Sequence, residues 1–124
     1  MSKVIIVPID GSSSSKRALE FALSMAKAYG DEIRLVNVQQ HHTILGEPII
    51  QEAATMIEKE NVPYTSTIRT GTLPSIEIVS EGKEENVRCI VIGSKGAGNS
   101  ANRFGSVSEE VLKMATCPVV ILPS

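Results

Sequence analysis

Tryptophan is absent from this 124-residue chain, and aromatic residues make up only 3% of it. A surface that stacks on unpaired bases needs several such rings, so single-stranded nucleic acid is not an expected ligand. An excess of charge is missing too, since 12 Lys and Arg against 14 Asp and Glu leave a net charge of −2. Without a basic field, neither a nucleic-acid backbone nor an anionic membrane is expected as a partner. No apolar run reaches the roughly 18 residues that a bilayer crossing takes. Met1 to Val7 has too short an apolar core for a secretion signal and reads as the start of a strand. Only two cysteines occur, Cys89 and Cys117, far apart and each in apolar surroundings. They read as buried free thiols, not a disulfide or a metal pair, which fits a reducing, cytoplasmic setting. The two histidines, His41 and His42, are adjacent. Neighbours in sequence cannot both face one metal from a helix, and no third ligand is near, so they read as a solvated pair.

Several catalytic and nucleotide signatures are also missing. There is no G-x-x-x-x-G-K-[ST] loop and no G-x-G-x-x-G after the first strand. No G-x-S-x-G elbow occurs, and no Ser/His or Cys/His spacing argues for a triad. No catalytic residue is assigned.

What is present is ordinary for a globular domain, with 42% apolar and 21% charged residues. The length predicts one domain over residues 1–124 with a real core. Lys3 to Ile9 is apolar and β-branched, as a strand buried on both faces should be. Ser12 to Ser15 can cap a helix whose buried stripe is Ala18, Leu19, Ala22, Leu23, Met25, Ala26 and Tyr29, with Gly30 as its stop. Ile33 to Val38 is a second strand. A polar connector leads to Glu47-Pro48, which opens a helix buried through Ile50, Ala53, Ala54 and Ile57 and closed near Asn61. Tyr64 to Thr70 alternates, as a strand near a sheet edge would. Thr72 can cap a third helix, with Pro74 in its first turn and Ile76 and Val79 inward. Arg88 to Ile92 is the fourth strand. A fourth helix ends before Cys117-Pro118, and Val119 to Leu122 is a fifth strand. Five strands alternating with four helices predict an α/β sandwich around a parallel sheet.

The most unusual stretch runs from Gly93 to Ser106, between the fourth strand and the fourth helix. A connection this long in so short a chain usually has a job. Gly93, Gly96, Gly98 and Gly105 can give positive φ or close approach to a ligand, and Lys95 and Arg103 add positive charge. Ser106 with Glu109 has the form of a capping box. The following helix start, with free N–H groups at its positive end, suits phosphate. In an open parallel sheet, ligands bind beyond the carboxyl ends of the strands where the winding reverses. The turn after the first strand, Asp10 to Ser15, is equipped for the same crevice if the first and fourth strands are neighbours. Asp10 would then meet a ribose hydroxyl or a metal that bridges phosphates.

The chain resembles the universal stress proteins over its whole length. The matching pieces are Val7-Pro8-Ile9-Asp10-Gly11-Ser12, Ile90 to Gly96, Gly105-Ser106-Val107-Ser108, and Cys117-Pro118-Val119-Val120. The resemblance implies a Rossmann-like, three-layer sandwich, akin to the adenine nucleotide alpha hydrolases, with a five-stranded parallel sheet in the order 3-2-1-4-5. It also implies a homodimer paired through the last strand. One branch of the family binds ATP through G-x2-G-x9-G-[ST]. Here Gly93 and Gly96 fit, Gly105 follows Gly96 after eight residues instead of nine, and Ser106 takes the final position. The resemblance implies a nucleotide site of Pro8, Ile9, Asp10, Val38, Ile92, Gly93, Gly96, Gly105, Ser106, Val107 and Ser108. ATP is its implied ligand, with Mg2+ or Mn2+ met indirectly by Asp10. The leading reading is a dimeric, ATP-binding regulatory module of the stress response. The alternatives are a nucleotide-free interaction protein and a slow ATPase or autophosphorylating enzyme using Ser106 or Ser108.

Overall fold

The computed structural model describes residues 2–94 and 105–123. In chain order the elements are β1 (Val4–Pro8), α1 (Ser13–Tyr29), β2 (Glu32–Gln39), a 3-10 turn (Thr43–Gly46), α2 (Glu47–Glu58), β3 (Tyr64–Thr70), α3 (Pro74–Glu81), β4 (Val87–Gly93), α4 (Ser106–Met114) and β5 (Val119–Leu122). The strands form one parallel sheet in the order β3-β2-β1-β4-β5. Thus β1 and β4 are neighbours, and the winding reverses between them. Every residue of β1 is buried, because helices cover both faces of the sheet. Ile5 and Val7 point toward the layer of α1 and α2, with Ala18, Ala22, Ala53 and Ile57. Val4 and Ile6 point the other way, toward Ile78 and Val79 of α3 and Val111 of α4. Burying each such aliphatic side chain stabilises the fold by about 1.5–3 kcal/mol.

Helix α1 starts as the serines predict. Ser12 is its N-cap, and its hydroxyl accepts from the Ser15 N–H at 3.1 Å. Gly30 ends it in the left-handed region at φ 71°. Asn61, at φ 58°, takes the same conformation just beyond α2, where a short polar side chain tolerates it.

Four local expectations are corrected. Tyr29 is exposed, not part of the α1 core stripe; its ring carries the Arg88 guanidinium 4.0 Å from its centroid. In α3, Ile76 is exposed while Ile78 is buried, because α3 turns its Ser75-Ile78-Val79 side to the sheet and α4. Thr72 does not cap α3; Leu73 stands at the cap without a side-chain bond. The capping box of α4 does not form either: Gly105 is the N-cap and Ser106 the first helical residue.

Cys89 and Cys117 are both free, but only Cys89 is fully buried. They belong to opposite layers, Cys89 under α1 and Cys117 beside the α3–α4 cluster. Burial, together with the nearby Cys117, pushes the Cys89 thiol up to about 11. Native protein treated with a thiol-reactive disulfide at pH 8 is therefore expected to label at Cys117 well before Cys89, with both reacting fast once urea unfolds the chain. Equal rates in the folded protein would contradict this packing.

Candidate functional site

Where β1 and β4 part, their carboxyl-end turns enclose a crevice of about 260 Å³, just below the roughly 300–1,000 Å³ of ordinary small-molecule sites. Its floor is the strand ends: Pro8 of β1 and Ile9 just after it, Val38 of β2, and Ile92 and Gly93 of β4. One end is polar, formed by Asp10, Gly105, Ser106 and Ser108, with Val107 beside them. All the site residues implied by the resemblance border this crevice except Gly96, which lies outside the described residues, as do Lys95, Gly98 and Arg103.

The β1 turn is closed by local hydrogen bonds. The Ser12 N–H donates to Asp10 Oδ1 at 2.9 Å, and the Ser15 hydroxyl donates to the Ser12 carbonyl at 3.0 Å. Gly11 sits between them at φ 87°, a conformation that side chains resist. The exposed Asp10 carboxylate is thereby oriented at the rim of the crevice.

On the other side, the Gly105 N–H donates to the Ser94 carbonyl at 2.5 Å. This bond joins the end of β4 to the start of α4, and Ser94 itself extends the β4–β5 ladder through Leu122 at 3.1 Å. The first N–H groups of α4, at Ser106 to Ser108, therefore open on the crevice, at the positive end of the helix. Ser106 is exposed and Ser108 buried. The Ser108 hydroxyl donates to the Gly105 carbonyl at 3.0 Å. It is committed to the helix start, which leaves Ser106 as the accessible hydroxyl of the two.

Gly93 and Gly105 do not serve the positive φ expected of them. Neither has positive φ among the described residues. At Gly93 the demand is space: a Cβ would stand 2.7 Å from the Ser14 carbonyl oxygen. The glycine lets α1 start directly over β4.

Sequence reasoning missed one wall. Pro74 and Ile78 of α3, with Val36 of β2, close the apolar side of the crevice. Helix α3 is held there by Arg69, whose guanidinium reaches Glu77 at 2.8 Å and Glu81 at 2.5 Å. Arg34 adds Glu81 and Glu84 to the same network. Hydrogen bonding to Glu77 keeps Arg69 firmly protonated, and bonding to Glu84 does the same for Arg34, each against the cost of partial burial. The i, i+4 spacing of Glu77 and Glu81, with arginines on neighbouring strands, was the available signal. Ser12 and Ser15 of the β1 turn and Ser94 after β4 also line the crevice, in the two loops that the sequence marks.

A family model described as the universal stress protein family matches residues 1–123. This chain belongs to that family. A universal stress protein of Thermus aquaticus is 31% identical, over 98% of this chain and 99% of the relative. Among solved structures, a universal stress protein from Archaeoglobus fulgidus in complex with dAMP superposes with a TM-score of 0.80 at 25% identity, over 98% of this chain and 97% of that one. A universal stress protein in complex with cAMP superposes with a TM-score of 0.84 at 23% identity, over 98% and 97%. The family's three-layer Rossmann-like sandwich is the fold found here.

Proposed function

We propose that the crevice binds an adenine nucleotide, ATP among the candidates, and that the chain acts as a nucleotide-responsive regulatory module of the stress response. The observation that carries this reading is the meeting of the Asp10 turn and the α4 start over one cleft with an apolar flank. The base rests against Val38, Ile78 and Ile92, where removal from water favours it. The ribose hydroxyls face Asp10. Phosphate oxygens take the first-turn N–H groups of α4 beside Ser106. The dAMP and cAMP complexes of the two structural relatives support the adenosine half of the ligand. Among the described residues no three His, Cys, Asp or Glu side chains are placed to hold a metal ion. A Mg2+ or Mn2+ ion would therefore combine Asp10 with phosphate oxygens and water, as magnesium commonly does in phosphate sites. The ion would supply charge neutralisation for the phosphates. The two free thiols favour a cytoplasmic, reducing setting.

A homodimer through β5 completes the proposal. The four residues of this edge strand are all apolar and all half-buried, an edge open to pairing. Leu112 extends the surface. Glu110 faces α3, where it accepts from the Ser75 hydroxyl at 3.3 Å. Leu112 comes two residues later, about 200° round the helix and so away from α3, and is exposed.

Ser106→Asp tests the phosphate placement. An acidic residue in the first turn suits the helix dipole, so stability should hold or rise slightly. A carboxylate near the phosphate should weaken AMP and ATP about tenfold or more, as like charges about 4 Å apart repel by about 1–4 kcal/mol in a partly wet site. Adenosine should bind unchanged. Calorimetric titration of wild type and variant with all three ligands checks this. No heat from wild type with any of them at millimolar concentration would end the nucleotide reading.

A further inference from the structure

We infer that Asn37, which does not line the crevice, is the positioning residue that holds Asp10 in place. This rests on the nucleotide reading above. Asn37 lies in the middle of β2, an unusual place for an amide side chain, and is 2% exposed. Its neighbours in sequence, Val36 and Val38, border the crevice; alternation along the strand turns Asn37 to the opposite face, toward α2.

There both ends of its amide are bonded. Asn37 Nδ2 donates to the Ile9 carbonyl at 2.7 Å, and its Oδ1 accepts from Gln39 Nε2 at 2.7 Å. The Ile9 N–H donates to the Val36 carbonyl at 2.8 Å. Both polar groups of Ile9 are thus tied to β2, one by backbone and one by side chain. Ile9 is the last residue before Asp10, and β1 has already ended at Pro8. Pro8 has no N–H to donate to a ladder. The Asn37 side chain takes over at the point where the chain leaves the sheet. It fixes the peptide from which the Asp10 turn departs.

Gly46 is the other half of the device. A Cβ there would lie 2.3 Å from Asn37 Oδ1 and 3.2 Å from Ile68 Cδ1. Only glycine leaves the amide its position. One buried side chain therefore joins the β1 turn to the connector between β2 and α2.

A cycle with Asp10 separates positioning from general support. Wild type, Asn37→Leu, Asp10→Ala and the double variant are titrated with AMP. Asn37→Leu keeps the volume but leaves the Ile9 carbonyl unpaired. It should weaken AMP about tenfold, as losing one buried hydrogen bond is worth about 1–1.5 kcal/mol. In the Asp10→Ala background the same change should add less than twofold, because it acts through Asp10. Full additivity, or unchanged affinity of Asn37→Leu, overturns the inference. If Asn37→Leu does not fold, Gly46→Ala displaces the same amide and replaces it in the cycle, with the same outcomes. Amide hydrogen exchange without ligand gives an independent reading: Gly11 and Ser12 should exchange faster in the variant while the α4 amides keep their wild-type rates. Unchanged exchange at Gly11 and Ser12 overturns the inference even if AMP binds. Faster exchange there with no AMP binding by wild type upholds it and overturns the nucleotide reading.

Discussion

Gly93→Ala should destabilise the protein by about 3 kcal/mol, the upper end of what overpacking usually costs. The new Cβ would meet the Ser14 hydroxyl at 2.3 Å, the Ser14 carbonyl oxygen at 2.7 Å and its carbon at 2.8 Å. A hydroxyl can rotate away, but two of these three atoms are backbone. The first turn of α1 would have to lift from β4. That movement spreads, because the α1 start carries Ser12 and Ser15 at the crevice. Urea midpoints should therefore fall, and nucleotide affinity should fall with them. Gly30→Ala is the control. It has no atom within 4 Å of the added methyl but sits at φ +71°, so only the backbone penalty of about 1 kcal/mol applies. Equal costs at the two glycines would show that packing against Ser14 is not what Gly93 provides.

The second large effect lies at the far end of the sheet from the crevice. The Asp31 side chain has no solvent exposure. Its carboxylate accepts from Arg88 Nε, from Arg88 Nη2 at 3.3 Å and from the Lys3 N–H at 2.9 Å. Arg88 reaches it because the β1–β4 register steps from Val87 to Cys89, a bulge that frees the intervening side chain. Burial alone would raise the Asp31 pKa. The Arg88 and Lys3 hydrogen bonds and charges outweigh it, so the folded value lies below the usual carboxylate range. A lowered folded pKa means that the unfolded chain takes up the proton first as pH drops. The contribution of Asp31 is complete above the unfolded carboxylate pKa, about 4. It is lost as pH falls through the lower folded value. Asp31→Asn should lower the urea midpoint clearly at pH 7, since it leaves the Arg88 guanidinium without its charge partner. The cost should shrink steadily below pH 4. Urea unfolding of both proteins between pH 7 and pH 2.5 measures it, and a cost independent of pH would refute the ion-pair account.

Much of this architecture was legible in the chain. Val4 to Pro8 is too uniformly apolar to face water on either side, so helices had to cover both faces. Ser12, Gly30 and Pro48 punctuate helices through their own backbone chemistry. Tyr64 to Thr70 announced an edge strand by its polarity. Tyr29 and Ile76 were misplaced for one reason: helical spacing puts them next to the buried stripe, and only the position of the neighbouring element decides which rows are covered. At the end of α1 Tyr29 lies outward against Arg88, and α4 covers Ile78 rather than Ile76. The Ser106-Glu109 spacing was real, but the bond from Gly105 to Ser94 set the helix start one residue earlier than a serine cap needs.

At the crevice the division is similar. Residue types alone marked the Asp10 turn and the Gly105-Ser106 helix start, because backbone freedom and free N–H groups are local properties. Alternating strands and helices implied a parallel sheet, but its order, with β1 beside β4, came from the family resemblance and is the order found. Tertiary structure alone decided that Pro74 and Ile78 wall the cleft, that Gly93 yields to Ser14, and that Asn37 grips the Ile9 carbonyl. Those facts depend on distances between segments far apart in sequence, and no local pattern encodes a distance that the folded packing has yet to set.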